Sequence, residues 1–139
     1  MSSIFTRIIN GEIPGRIVWR DRVCVAMVDI RPLNRGHVLV IPIEEVDRWT
    51  DLSTDTASHC MTVAHTIGRA QQELFAPLRV GLIIAGFEVP HAHLHVVPID
   101  GIDHLNFANA DPDADPDDLD RVAELLRQAL RRAGHEAVT

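Results

Sequence analysis

The sequence predicts an α+β fold, a five-stranded antiparallel sheet carrying two main helices. Three observations lead there. β-rich runs come in hairpin-like pairs at 16–28 and 80–99, one long amphipathic segment at 53–75 stands between them, and the regular strand–helix alternation of a parallel βαβ array is missing.

The elements follow in order. Residues 4–9 are expected to form a short helical turn, ended near Asn10, Gly11, Pro14 and Gly15. Two β-rich runs, 16–20 and 23–28, are split by Asp21 and Arg22 and predict a hairpin. A loop over 29–36, punctuated by Pro32 and Gly36, leads to a third strand at 37–41 that Pro42 should stop. Ser53 suits the N-cap of the central helix, and Asp55 complements the dipole in its first turn. Cys60, Ala64, Ile67, Leu74 and Phe75 recur at helical spacing, with Met61, Val63 and Gly68 beside them, and predict a buried stripe ended by Pro77. Runs 80–85 and 91–99 read as two further strands, neighbours across the short link at 86–90. Residues 100–118 are rich in Asp, Asn and Pro and predict an exposed acidic loop. The last helix starts near Pro116 with Asp115 as cap, buries Leu119, Val122, Leu126, Ala129 and Leu130, and closes at Gly134.

A chain of 139 residues is long enough for one domain, 1–139, whose core needs neither metal nor disulfide. Thirteen Lys and Arg against twenty Asp and Glu leave a formal charge of -7, which argues against polymeric nucleic acid as a partner but not against a mononucleotide held in a local pocket. Cys24 and Cys60 read as two buried thiols of a reducing compartment. The start of the chain lacks the apolar stretch of a signal peptide, and no apolar run is long enough to span a membrane, so the cytoplasm is the expected location.

The chemistry concentrates at 90–98. Read with period two, His91, His93 and His95 share one strand face, and Ala92, Leu94 and Val96 face the core. A metal site and a nucleophilic site compete as explanations, beside a row of exposed imidazoles with no task. The straight row spans about 13 Å, too wide for all three to bind one ion, so a metal would need His37, His65 or Asp29 to help. In the nucleophilic reading the middle imidazole attacks phosphorus and later yields to water. Its neighbours orient it or bond a non-bridging oxygen, and a backbone carbonyl on its far N–H fixes the tautomer. Asp29 can accept a bond from each hydroxyl of a ribose diol, although a strand-end turn residue would look the same. His37 likewise fits either a site role or a satisfied core histidine.

The run from Pro90 to Val97, PHAHLHVV, resembles the histidine triad signature. IFTRIINGEIP at 4–14 and DIRPLNRGHVLVIP at 29–42 resemble two further blocks of that superfamily's Hint-like branch, in the same order. The resemblance implies a nucleotide-binding fold whose five-stranded sheets pair into ten strands in a homodimer. It also implies hydrolysis or transfer at the α-phosphate of purine nucleoside phosphoramidates or related nucleotides, with no cofactor and no metal. A catalytically weak nucleotide-binding or scaffold protein is the alternative. By resemblance, His93 is the nucleophile, His91 and His95 orient it and contact phosphate or leaving group, and His37 supports them. Asp29 meets the ribose, Ile30 the base, and Phe5, Ile8 and Ile9 the base pocket. The stretch before the triad departs from the family pattern, since Phe87 stands in a glutamine's place and Glu88 where many members carry serine. Gly86, Phe87, Glu88 and Val89 therefore remain nucleotide-binding candidates, with backbone N–H groups at 86–88 as the replacement donors. Cys24 and Cys60 do not form the N-terminal zinc cysteine pair of some triad proteins.

Overall fold

The computed structural model describes residues 1–139. The chain runs α1 (Ile4–Ile9), β1 (Ile17–Arg20), β2 (Cys24–Val28), β3 (Val38–Pro42), α2 (Thr54–Phe75), β4 (Arg79–Ile83), β5 (Leu94–Ile99) and α3 (Pro116–Arg132). The five strands form one sheet in the order β1-β2-β3-β5-β4, and every neighbouring pair is antiparallel. No helix is long and apolar enough to cross a membrane.

β2, β3 and β5 are buried on both faces, which explains their nearly unbroken apolar runs. Cys24, Ala26, Val28, Val38, Val40, Leu94 and Val96 face α2 and α3 in the main core. On the opposite face Val25, Met27, Leu39 and Ile41 meet Phe5 and Ile9 of α1. The site is built on this second, thinly covered face.

Both long helices begin at the predicted caps. The Ser53 hydroxyl accepts the N–H of Thr56, and the Asp115 carboxylate accepts that of Asp117. Met61 departs from the expected stripe: it is 47% exposed, turned toward the open side beside β4. α2 is tied to the sheet by Gln71, fully buried, whose amide donates to the carbonyls of Gly36 at 2.8 Å and Val96 at 2.9 Å. Gly36 has φ +95, and a Cβ there would lie 2.6 Å from the Phe75 ring, so glycine is required on both counts.

Three expectations need correction. Pro42 is the last residue of β3 and pairs with Cys24, because a strand end forgives the missing N–H. β5 starts only at Leu94, so His91 and His93 precede it. β4 ends opposite His95, and the Ala92 N–H bonds the Val46 carbonyl at 2.7 Å instead of joining a strand ladder. The acidic segment after β5 is not a bare loop. It makes two 3-10 turns, Ile102–Leu105 and Phe107–Asn109, and Leu105 and Ala110 pack on Leu33, Val97 and Ile99.

Replacing Gln71 with Leu keeps the volume but strips two buried carbonyls of their donor. The Gln71→Leu variant should lose about 2–6 kcal/mol, at roughly 1–3 kcal/mol for each of the two unpaired carbonyls. Urea denaturation checks this, and an unchanged midpoint would exclude the tie.

Candidate active site

The turn from β2 to β3 sets the site. The Asp29 N–H bonds the His37 carbonyl at 3.1 Å, closing the loop, and the Leu33 N–H donates to Nδ1 of His37 at 3.0 Å. A backbone N–H can only donate, so Nδ1 of His37 is bare and its proton sits on Nε2. Nε2 lies 3.0 Å from Nδ1 of His95 and donates to it. The proton of His95 is thereby placed on Nε2, which is buried and has no protein partner. This chain of contacts leaves one N–H donor aimed outward.

His93 has the opposite polarity. Its Nδ1–H donates to the carbonyl of His91 at 2.7 Å, which leaves an unprotonated Nε2 facing Oε2 of Glu88 at 3.7 Å. His91 stands behind it. Its Nε2–H donates to the Pro42 carbonyl at 2.7 Å, and its Nδ1 accepts the Ser3 hydroxyl at 2.7 Å. Ser3 also caps α1 by accepting the Thr6 N–H, and the Glu45 carboxylate accepts from the Ser3 N–H at 2.6 Å and the Thr6 hydroxyl at 2.7 Å. Phe5 from the same helix packs edge-on against His93, with ring centroids 5.0 Å apart.

Burial keeps the imidazoles of His37, His91 and His95 neutral. It pushes His37 down to about 3 and His95 down to about 4, with neighbouring imidazoles adding to both effects. His91 is lowered by burial as well, and burial raises the Asp29 carboxyl against the pull of the Arg31 N–H.

A cavity of about 450 Å³ opens over this surface. His37, His93, His95, Asp29, Glu88, Phe5 and Val89 line it, together with Ile4, Arg31, Leu39, Phe107 and Ala110. Other expected residues lie elsewhere. His91 sits beneath the site, and Ile9 belongs to the apolar cluster under α1, with Ile8 packed against it. Ile30 is 62% exposed and outside the cavity, and Phe87 is 96% exposed, its side chain in solvent. Gly86 borders a neighbouring hollow with Ala92 and Trp49. His65 lies on α2, remote from the triad. Phe107, whose ring stacks edge-on against His95 at 4.9 Å, had no signal in an acidic segment that promised only a loop. Ile4 and Ser3 could have been found from helical spacing, since Ser3 caps the turn that carries Phe5.

Two groups could place three donor atoms on one ion: Asp29, His37 and His95, and Glu88, His93 and His95. The proton order opposes both. His37 can offer Nε2 as a ligand only by moving its proton to Nδ1, against the Leu33 N–H, and Nε2 of His95 is protonated while His37 donates to its other nitrogen. An N–H beside a bare imidazole nitrogen suits an electrophile that carries an oxyanion.

A model of the HIT domain family matches residues 10–102. The chain is 31% identical over 135 residues to an uncharacterized HIT-like protein of Mycobacterium tuberculosis, covering 94% of each chain. It is also 31% identical over 99 residues to an adenosine 5'-monophosphoramidase of Schizosaccharomyces pombe, covering 70% of this chain and 74% of that one. Among solved structures, a zinc-bound histidine triad family protein from Mycobacterium smegmatis superposes with a TM-score of 0.81 at 33% identity, covering 96% of each chain.

The buried neutral pair makes stability depend on pH with a definite sign. His37 and His95 titrate near 6.5 when unfolded but near 3 and 4 when folded. Their contribution is complete above about 6.5 and drains away as pH falls toward 4, because the unfolded chain takes up the protons. Unfolding at pH 5 should therefore bind about two protons at this pair. Calorimetry in buffers of different ionisation enthalpy measures that uptake, and none at all would contradict the neutral assignment.

Proposed function

The chain belongs to the histidine triad (HIT) family, and we propose that it is a nucleotide hydrolase that cleaves purine nucleoside phosphoramidates at the α-phosphorus through a nucleotidyl-His93 intermediate. The observation that carries this is the opposed proton order of two adjacent imidazoles, a bare Nε2 on His93 and an Nε2–H on His95, lining one cavity.

Nε2 of His93 attacks phosphorus in line. A bond forms from nitrogen to phosphorus as the bond to the leaving amine breaks, and the amine departs with a proton. Water then attacks the same phosphorus, the bond to His93 breaks, and a nucleoside monophosphate is released. His95 donates its N–H to a non-bridging oxygen on which charge grows. Glu88, at 3.7 Å from the attacking nitrogen, is placed to carry the proton between leaving group and water. Asp29 accepts the ribose hydroxyls, and Ile4 and Phe5 give the base an apolar wall. His91 acts on the nucleophile indirectly, by holding the carbonyl that fixes its tautomer. The cavity's only formal cation is Arg31, against the carboxylates of Asp29 and Glu88, a balance that favours a single phosphate with an amine leaving group over a polyphosphate. Similarity to an adenosine 5'-monophosphoramidase supports the same substrate class. The two free buried thiols fit a reducing cytoplasm.

Rapid acid quench with adenosine phosphoramidate, followed by peptide mapping, tests the intermediate. The adduct should map to His93 and vanish in His93→Gly, which still binds AMP. Asp29→Asn should weaken AMP binding about tenfold or more, since hydrogen bonds to charged groups contribute roughly 1.5–3 kcal/mol. An adduct on His91 or His95, or full turnover by His93→Gly, would overturn the mechanism, and binding without turnover by the native chain would favour the scaffold alternative.

The functional unit we propose is a homodimer. β4 is an edge strand with its outer side unpaired, and Leu82 (40% exposed) and Met61 (47% exposed) line an open groove beside it. Edge-to-edge pairing of two β4 strands would join two sheets into one of ten strands. Sedimentation should give twice 15.4 kDa at micromolar concentration, whereas a species of 15.4 kDa alone would reject the dimer.

A further inference from the structure

On the helical face of the sheet, away from the triad, two buried thiols are met by a carboxylate and an imidazole. Cys24 opens β2 and Cys60 lies on α2; both are fully buried in the same core cluster. Asp21, in the turn before β2, brings Oδ2 to 3.9 Å from Sγ of Cys24 and 2.6 Å from Nε2 of His59. The donor atoms of Asp21, Cys24 and His59 all lie within 4.8 Å of one another.

A pair of thiols filling apolar space would need neither neighbour. Here the carboxylate is aimed from outside the pair. Its Oδ1 accepts the N–H groups of Val23 and Cys24 at 2.8 and 2.9 Å, and its Oδ2 accepts the indole N–H of Trp19 at 2.9 Å. Such outer bonds orient metal ligands elsewhere in proteins. The thiols form the floor, and the side chains of His59 and Asp21, 38% and 20% exposed, form a rim through which an ion can enter.

We propose that Asp21, Cys24 and His59 form a site for a borderline-soft divalent cation, with the Cys60 thiol of the same core cluster moving in as the fourth, tetrahedral ligand and Zn²⁺ the best match to two sulfurs, one nitrogen and one oxygen. Zinc bonds of about 2.0–2.3 Å put tetrahedral ligands roughly 3.3–3.7 Å apart. The oxygen–sulfur separation already agrees within a few tenths of an ångström, and the oxygen–nitrogen contact opens by less than 1 Å as the partly exposed His59 swings outward. Both thiols coordinate as thiolates and their protons leave to solvent, while the partly exposed His59 gives up the Nε2 proton it now donates to Asp21 and binds as its Nδ1–H tautomer. The bound ion would clamp the β1–β2 turn to α2 without touching the catalytic face.

The full-length protein, reduced and treated with chelator, is titrated with Co²⁺. A thiolate-to-cobalt charge-transfer band in the near ultraviolet and intense visible bands of tetrahedral cobalt should saturate at one equivalent and be bleached by Zn²⁺. Cys24→Ser and Cys60→Ser should each lose most of the charge-transfer band, His59→Gln should weaken binding at least tenfold, and His93→Ala should leave the spectrum unchanged. Zn²⁺ should raise the Tm of the native chain and leave that of Cys24→Ser unmoved. No thiolate band in the native protein overturns the site without recourse to any variant. A band that survives both serine substitutions, or disappears in His93→Ala, overturns it too.

Discussion

Leu33 presents its backbone N–H to Nδ1 of His37 at 3.0 Å, and the proton order along the relay to His95 depends on that contact. The peptide group cannot reverse its role, so His37 must donate onward, and His95 must keep its own proton on the nitrogen that faces the cavity. A solvated imidazole samples both tautomers. A buried one with a single available bond pattern does not, and low polarity around it raises the cost of every alternative. Fixing the proton costs little once the loop from β2 to β3 has closed, because the same closure supplies the Asp29 to His37 backbone bond.

The sheet makes this geometry affordable by being buried on both sides. One face carries the large core with α2 and α3, where Ile67, Leu126 and Leu130 are fully enclosed. The other is covered thinly by α1 and by the turns after β5, so imidazoles at the ends of β3 and β5 can be shielded from water while a cavity remains open above them. Gln71 and Gly36 couple the two faces. The helix that seals the large core holds the carbonyl one residue before His37.

Element types and order were legible because they rest on local patterning: caps at Ser53 and Asp115, glycine at 134, and apolar runs of strand length. The convergence of His37, His93 and His95 on Asp29 was legible through motif order. Less accessible was the offset of the triad from its strand. Period-two spacing holds from His93 onward, but where a strand begins is decided by its partners, and β4 and β3 have run out of pairing residues by His95 and Leu94. Ile8, Ile9 and Ile30 show a related limit. An apolar residue beside a site can face into it, beneath it or away from it, and only the packing of α1 separates Ile4 from Ile9. Phe107 was hidden because acidic neighbours mask one aromatic ring.

The bond between Ser3 and His91 has a consequence for how the site comes into being. α1 has six residues, far fewer than an isolated helix needs to persist in water. It is held by its capping serine on His91 and by Phe5 against His93, contacts that exist only after β3 and the segment before β5 have met. The apolar wall and the placement of His91 and His93 therefore depend on one another. A chain that has loosened around the triad has also lost its wall, so affinity for a ligand would report on the integrity of this whole face of the sheet.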